Sequence, residues 1–274
     1  MTQRQQDQLS SEAQRQLVKI FELVDRWRDR TGATAPLPAI GSSLRKDDEV
    51  TDPYQLSHAA MGALVSAVDH LDAVRALVQD AGMLHARAPF TLLRAALENS
   101  ATAVWLLAPA NRNERVLRRL RLQWADALDG EVAHQVVGAA PRLSRDGWKG
   151  KLQAVARARG LPDEQVQAVT GRRVSYSGIV KAAGDEAKNS DLTGQDALFS
   201  WMLSSGIAHA KTWAVLSSAL DRVEVPGVPG LAENQVGLML SASDKAVTLI
   251  ASVTTLMVIE GWRLLDERGR WYLA

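Results

Sequence analysis

Apolar residues recur at spacings of three and four along most of this chain, and that periodicity restricts it to a helical fold. The first segment keeps the spacing with five residues, Leu17, Ile20, Phe21, Val24 and Trp27. Gly32 then follows as a natural stop. We find no convincing β alternation and no short internal repeat. The sequence therefore predicts an all-α fold, a multi-helix bundle of long antiparallel helices with an inserted region of short helices.

Proline, glycine and asparagine positions divide the chain into segments. We expect residues 1–53 to form an amino-terminal helix and a Pro/Gly-rich connector, either a loop packed over the body or a mobile arm. Residues 54–274 form the main bundle, and an insert of short helices covers about 138–193. The longer predicted helices begin near Pro53, run from Pro89 to Pro109, follow Asn111 directly, and cover about 195–221 and 237–267.

Charge and cysteine content exclude several classes of function. The 32 basic and 31 acidic residues leave a formal net charge of +1, so the chain lacks the overall positive charge typical of nucleic-acid-binding proteins. A local basic patch that binds nucleic acid is still compatible with this charge. There is no cysteine, which excludes disulfides, thiol catalysis and thiolate metal sites. The polar amino terminus, MTQRQQDQLSSEAQRQ, lacks the apolar core of a signal peptide.

The most apolar stretch, AVTLIASVTTLMVIEGWRLL, lies near the end of the chain. Its uncharged part runs only from Ala246 to Ile259, where Glu260 interrupts it. That part is shorter than the roughly 20 residues that a membrane span needs. We expect a buried helix, no membrane partner, and a soluble, cytoplasmic protein.

Arg94 and Glu98 stand four residues apart in the segment RAALENS and share one face of a predicted helix. Their flanks are apolar, and burying either charge without a partner would be unfavourable. The pair is either a buried structural bridge or the wall of a polar pocket, and both interpretations stay open.

His209 lies in another apolar segment, FSWMLSSGIAHAKTWAV, with Ser205 four residues before it. A histidine here is either a core residue satisfied by a carbonyl or by Ser205, or a group that transfers protons near neutral pH. A Ser–His hydrolase is disfavoured, because neither Ser204 nor Ser205 lies in a Gly-x-Ser-x-Gly turn.

Tryptophan is frequent, with eight Trp against three Tyr and three Phe. We expect most of them in the core and between helices. A buried indole still needs a partner for its N–H, so some could line a pocket. The candidates for apolar pocket walls are Trp105, Trp201 and Trp213.

Metal binding is suggested by one short motif. Glu131 and His134 form Glu-x-x-His, the spacing of di-iron carboxylate bundles, and Glu98 could serve as a third ligand. A second half-site is missing, because Gly206 stands where the glutamate paired with His209 should be. We therefore predict no metal and no cofactor.

Two basic segments could contact nucleic acid. The arginines of RVLRRLRLQ wrap around a predicted helix instead of forming one stripe, and the short helices around TGRRVSYSG are spaced too loosely for a helix-turn-helix. The contact residues in this alternative are Arg118, Arg119, Arg172 and Arg173, and binding through them would depend on salt.

With RAALENSATAVWLL, SYSGIVKAAG and LSSGIAHAKTWAV in view, the chain resembles, over about 90–270, a loose group of uncharacterised actinobacterial helical proteins. They share an Arg-x-x-x-Glu helix, here Arg94 with Glu98, and a Ser-Gly-x-x-His-x-x-x-Trp helix, here from Ser205 to Trp213. The group is distantly similar to HEPN-type bundles, some of which are RNA-cleaving toxins. The resemblance implies the bundle shape without the toxin activity, because no histidine has an arginine five to seven residues before it.

These residues together predict a small-molecule-binding or sensing bundle with a polar pocket between the Arg94/Glu98 helix and the His209 helix. Arg94 would hold an anionic group or orient Glu98, and Ser205 would line the pocket with the tryptophans. One alternative is a cofactor-independent enzyme with Glu98 and His209 as its catalytic acid and base. The other is a HEPN-like defence or regulatory protein that acts with nucleic acid. A homodimer through the apolar final helix is a further expectation.

Overall fold

Helices dominate the computed structural model, which describes residues 11–32, 37–188, 191–226, 228–232 and 235–270. Within those residues the chain forms eleven α-helices and one two-stranded antiparallel sheet, which confirms the predicted all-α bundle. The helices are α1 (Ser11–Gly32), α2 (Ser43–Thr51), α3 (Leu56–Arg75), α4 (Ala88–Leu107), α5 (Arg112–Val136), α6 (Arg145–Ala158), α7 (Asp163–Val169), α8 (Tyr176–Glu186), α9 (Gly194–Ala208), α10 (Thr212–Val215) and α11 (Asp244–Gly269). A π-helical turn, Ala76–Asp80, extends α3.

Helix α4 is the centre of the bundle. Every residue from Ser100 to Leu107 is buried, because α3, α8, α9 and α11 all pack against this helix. Pro89 lies in its first turn, where the missing N–H has no intrahelical partner to lose. Helix α5 follows at once and is capped by Asn111, whose side chain accepts a hydrogen bond from the N–H of Asn113.

The buried apolar residues form two separate cores. The main core is built from α1, α3, α4, α8, α9 and α11. The second core joins Tyr54 and the apolar face of α5 to the short helices α6 and α7. Helix α5 therefore turns much of its apolar surface toward the short helices and away from α4.

Part of the Pro/Gly-rich connector forms a buried helix, α2, where a loop or arm was predicted. Asp47 on this helix is 0% exposed and binds Arg115 of α5 with both carboxylate oxygens, at 2.6 Å to Nε and 2.9 Å to Nη2. The same guanidinium donates to the carbonyls of Pro109 and Ala110 in the α4–α5 turn. A polar segment is thus buried because a cation from a distant helix meets its carboxylate. Residues 33–36 of the connector lie outside the described residues.

The predicted helices at 195–221 and 237–267 are each partly wrong. Helix α9 ends at Ala208, and the chain then forms a hairpin from β1 (Leu220–Val225) and β2 (Gly237–Ala242), with Leu220 opposite Ala242 and Val225 opposite Gly237. Sequence reasoning found no β alternation here because both strands are short and mostly exposed, so no buried face imposes one.

Helix α11 is the one helix among the described residues that is long and apolar enough to cross a membrane. Of its most apolar window, 67% is buried inside the protein, where it packs against α1, α3, α4 and α9. The predicted burial of this segment is confirmed.

Candidate functional site

The predicted residues Arg94, Glu98, Trp201 and His209 do come together, at the crossing of α4 and α9. Arg94 Nε lies 2.9 Å from Glu98 Oε1, as an ion pair without the direction of a hydrogen bond. The same Oε1 accepts a 2.6 Å hydrogen bond from the indole Nε1 of Trp201. The guanidinium of Arg94 also lies 5.7 Å from the centre of the Trp201 ring. The spacing of Arg94 and Glu98 thus predicted a real pair, and Trp201 is the partner that joins it to α9.

His209 occupies the end of α9 and not its middle. Helix α9 closes with a Schellman motif, in which the N–H of Lys211 donates to the carbonyl of Gly206 and that of Ala210 donates to Ile207. Ala210 takes the left-handed conformation with φ of 53°, a position usually filled by glycine. His209 is therefore exposed, with Nε2 3.5 Å from Arg94 Nη1, a weak contact at the surface. The interpretation as a core histidine is wrong.

The other residues predicted for this pocket are scattered. Trp105 is buried under α5, where its ring lies 5.2 Å from the guanidinium of Arg118. Trp213 is half exposed on α10 and packs on Gly206, where an added Cβ would lie 2.9 Å from the indole. Ser205 is partly buried on α9, and its backbone carbonyl accepts the N–H of His209. These three side chains do not enclose a cavity with Arg94.

A cavity of about 720 Å³ lies beside this cluster, between the main core and α5, the helix that carries the second core; we call it the inter-core cavity. It is lined by α3, by Asn99 and Thr102 of α4, by α5, by residues 173–179 at the start of α8, and by Trp201. Trp201 is shared with the cluster, whereas Arg94, Glu98 and His209 do not line the cavity. The space exists because α5 leans on α6 and α7, and because α3 presents only small side chains to it: Ala59, Gly62 and Ala63.

Arg119 is the most buried charged group in the lining, with 9% of its surface exposed. Its Nε donates to the carbonyl of Gln55 and its Nη2 to Gln123 Oε1, at 3.4 and 2.9 Å. Among the described residues no carboxylate forms a salt bridge with it. Burial lowers the pKa of Arg119 to about 10, and the more distant charge of Asp126 opposes that shift. The side chain is therefore still a cation at neutral pH.

The other charges of the cavity lie at its exposed rim. Arg173 donates to both oxygens of Asp129, at 2.6 Å each. Asp126 accepts a 3.1 Å hydrogen bond from Gln123 Nε2, so the Gln123 amide lies between this carboxylate and Arg119. The buried cation is thus linked to the Asp126 carboxylate through a neutral side chain.

The four arginines proposed for nucleic acid do not form one surface. Arg118 is mostly buried and binds Glu186, Glu114 and the carbonyl of Trp105. Burial lowers the pKa of Arg118, but its bonds to Glu186 and Glu114 outweigh that effect and raise it. Arg119 points into the cavity wall. Arg172 and Arg173 are exposed, and only Arg173 shares the cavity with Arg119.

The Glu-x-x-His motif is used in local contacts. Glu131 lies 2.9 Å from Arg145, and His134 Nδ1 donates to the carbonyl of Gly130 at 2.6 Å. Among the residues that the structure describes, no group of three or more His, Asp or Glu side chains could hold a metal ion.

Comparisons of the chain with protein-family models, with curated proteins and with solved structures found no match.

Sequence reasoning missed most of the cavity lining, including Asn99, Gln123 and the start of α8. It named Arg119 only as a nucleic-acid contact. The available signal was the Arg119–Gln123 spacing of four on α5, which suggested a helix-face pair but not its burial.

Replacing Glu98 with alanine tests the link between α4 and α9. We expect the free energy of unfolding to fall by about 1–3 kcal/mol, because the Trp201 N–H loses its acceptor and the partly buried Arg94 guanidinium loses its ion-pair partner. Glu98→Gln is the matched control, since it keeps an oxygen for the indole and loses only the charge. Urea denaturation followed by circular dichroism measures both. A Glu98→Ala protein as stable as the parent would show that the link does not hold Trp201.

Proposed function

We propose that this chain is a soluble, cytoplasmic helical bundle that binds a small organic molecule in the inter-core cavity. The observation that carries the proposal is the cavity itself, whose volume of about 720 Å³ falls in the range usual for small-molecule sites. Part of its lining, including Asp126, Asp129 and Arg173, is exposed, so a ligand can enter from solvent without a rearrangement of the helices.

The lining has the mixed chemistry of a binding site. Trp201, Leu122 and Ile179 give an apolar wall, while Asn99 and Arg119 place polar groups at separate points on it. The Asn99 amide nitrogen donates to the carbonyl of Ala95, which leaves its side-chain oxygen as an acceptor for a ligand. A few fixed polar groups on an apolar wall orient a ligand and select it.

This proposal moves the site away from the pocket predicted between the Arg94/Glu98 and His209 helices. The Arg94–Glu98–Trp201 contacts then support one cavity wall, because Glu98 accepts the hydrogen bond of the Trp201 indole, which lines the cavity. A ligand that shifts Trp201 would therefore change its hydrogen bond to Glu98 and the Glu98–Arg94 ion pair. In a sensing bundle, this change would signal that the ligand is bound.

The two alternatives have less support. Glu98 Oε1 is already taken by Arg94 and Trp201, and neither Glu98 nor His209 lines the cavity, so acid–base chemistry on a cavity ligand has no group beside it. Nucleic-acid binding would need Arg118 to leave its contacts with Glu186 and Glu114.

Titration with the uncharged fluorescent probe N-phenyl-1-naphthylamine tests the proposal. We expect saturable binding by the parent protein and at least about tenfold weaker binding by Gly62→Trp, whose indole would occupy the space that α3 leaves open. Gly62→Ala is the matched control with unchanged affinity, because a Cβ at this position meets nothing within 4 Å.

The proposal fails in either of two results. One is a parent protein that does not bind the probe saturably. The other is a Gly62→Trp variant with native circular dichroism that binds the probe as tightly as the parent, since the probe would then lie elsewhere.

A further inference from the structure

Arg119 is a buried cation without a salt-bridge partner among the described residues, and it lines the inter-core cavity, which has room for a counter-ion. Its Nε and Nη2 are bound to the Gln55 carbonyl and to Gln123, and no described residue accepts a hydrogen bond from Nη1. Burying a charge is unfavourable unless it is paired, and here the guanidinium has only neutral oxygens and the Tyr54 ring, whose centre lies 6.0 Å away. An arginine is always charged near pH 7 and offers a fork of donors that fits oxyanions.

The amino end of α8 adds a second positive feature to the same cavity. Ser175 caps this eleven-residue helix by accepting from the N–H of Gly178. The first-turn N–H groups of Tyr176 and Ser177 have no acceptor among the described residues, as is usual at a helix start. Ser175, Tyr176 and Ser177 all line the cavity, so the positive end of the helix dipole faces it.

The remaining wall is apolar and makes a large contact surface. Trp201 lines it from α9, Leu122 from α5, Val174 from the segment just before α8, and Ile179 from the first turn of α8. Small residues of α3, among them Gly62, leave room opposite them. One charged group and one broad apolar surface in a single cavity match a ligand with an acidic head and an apolar body.

We propose that the inter-core cavity binds an amphipathic organic anion, whose carboxylate or phosphate group pairs with Arg119 and whose apolar body packs on Trp201 and α3. This inference rests on the proposed function and names the ligand class for the same cavity. The anion completes the hydrogen bonding of Arg119, and the amino end of α8 favours the same sign of charge.

The charge of Asp126 is expected to weaken the binding of an anion in the cavity. The side chain is exposed at the rim and lies in the field of Arg119, so it repels an anion that approaches the guanidinium. Asp126→Asn keeps an oxygen that accepts from Gln123 Nε2 and removes the charge. This variant is expected to bind an anionic probe about twofold to fivefold more tightly, since the effect is partly screened by solvent.

Two fluorescent probes that differ mainly in charge test the inference. 8-Anilinonaphthalene-1-sulfonate carries an anionic group, and N-phenyl-1-naphthylamine is its uncharged counterpart. The measured quantity is the ratio of their dissociation constants, which cancels the apolar contribution. Arg119→Met should shift that ratio against the anionic probe by at least about tenfold, because a charge-assisted contact is lost. Arg119→Lys should restore part of the preference. Circular dichroism and thermal melting check that each variant is folded.

The outcomes separate this inference from the proposed function. The anion assignment is overturned by an unchanged probe ratio in folded Arg119→Met. It is also overturned if Asp126→Asn binds the anionic probe no more tightly than the parent and Arg119→Lys binds it no more tightly than Arg119→Met. Binding of the uncharged probe in these cases leaves the proposed function standing. If Arg119→Met does not fold, Asp126→Asn decides by its probe ratio relative to the parent. Loss of both probes from the parent protein overturns both proposals. Displacement of the bound anionic probe by octanoate or by octyl phosphate then distinguishes a carboxylate ligand from a phosphate ligand.

Discussion

Replacing Asp47 with alanine is expected to lower the free energy of unfolding by about 3–5 kcal/mol, the usual effect of removing one partner of a buried ion pair. Asp47 is 0% exposed and Arg115 is 3% exposed, so the guanidinium would stay buried without its carboxylate. Arg115 also donates to the carbonyls of Pro109 and Ala110, and Arg268 of α11 donates to the carbonyls of Ala108 and Pro109. The loss would therefore loosen α2, the α4–α5 turn and the end of α11 together.

Urea denaturation followed by far-ultraviolet circular dichroism measures this effect. Glu49→Ala is the matched control on the same helix, because Glu49 is exposed and its ion pair with Arg45 is a surface i,i+4 pair. The control should change stability by less than about 1 kcal/mol. Equal losses in the two variants would contradict a special role for the Asp47–Arg115 pair.

Replacing Gly184 with alanine is expected to destabilise the protein by about 1–3 kcal/mol, although alanine is the better helix former. Helices α8 and α9 cross so closely that a Cβ on Gly184 would lie 2.8 Å from Gly194 Cα and 2.8 Å from the Thr193 carbonyl oxygen. Both contacts are to backbone, which cannot rotate away. Helices α8 and α9 carry Ile179 and Trp201 of the cavity lining, so weaker probe binding should accompany the loss of stability.

Gly130→Ala is the control for this prediction, and its expected effect on stability has the opposite sign. Gly130 lies inside α5, and a Cβ there meets nothing within 4 Å. Gly130→Ala should therefore stabilise the protein by about 0.5–1 kcal/mol through helix propensity alone. Thermal or urea denaturation of both variants checks the pair. A Gly184→Ala protein that is stabilised like Gly130→Ala would show that the helices can separate without loss.

How far the sequence predicted the site depends on the range of each interaction. Arg94 and Glu98 were predicted as a pair because a spacing of four on one helix places them together before any tertiary contact forms. Trp201 was a candidate wall residue, but its hydrogen bond to Glu98 joins positions 103 residues apart, which no local pattern encodes. His209 was placed in mid-helix because Ala210, and not a glycine, ends α9 in the left-handed conformation.

The sequence by itself determined the helical class, the central helix between Pro89 and Pro109, the start of α5 at Asn111 and the burial of the last apolar segment. These features follow from periodicity and capping, which act within a few residues. Only the tertiary structure decided that the polar connector contains a buried helix, that Arg119 lies inside the protein, and that a cavity lies between α5 and the main core. Each of these depends on whether α5 packs against α2, α4, or the short helices α6 and α7. That choice depends on contacts between distant segments, which the sequence pattern of a single segment does not predict.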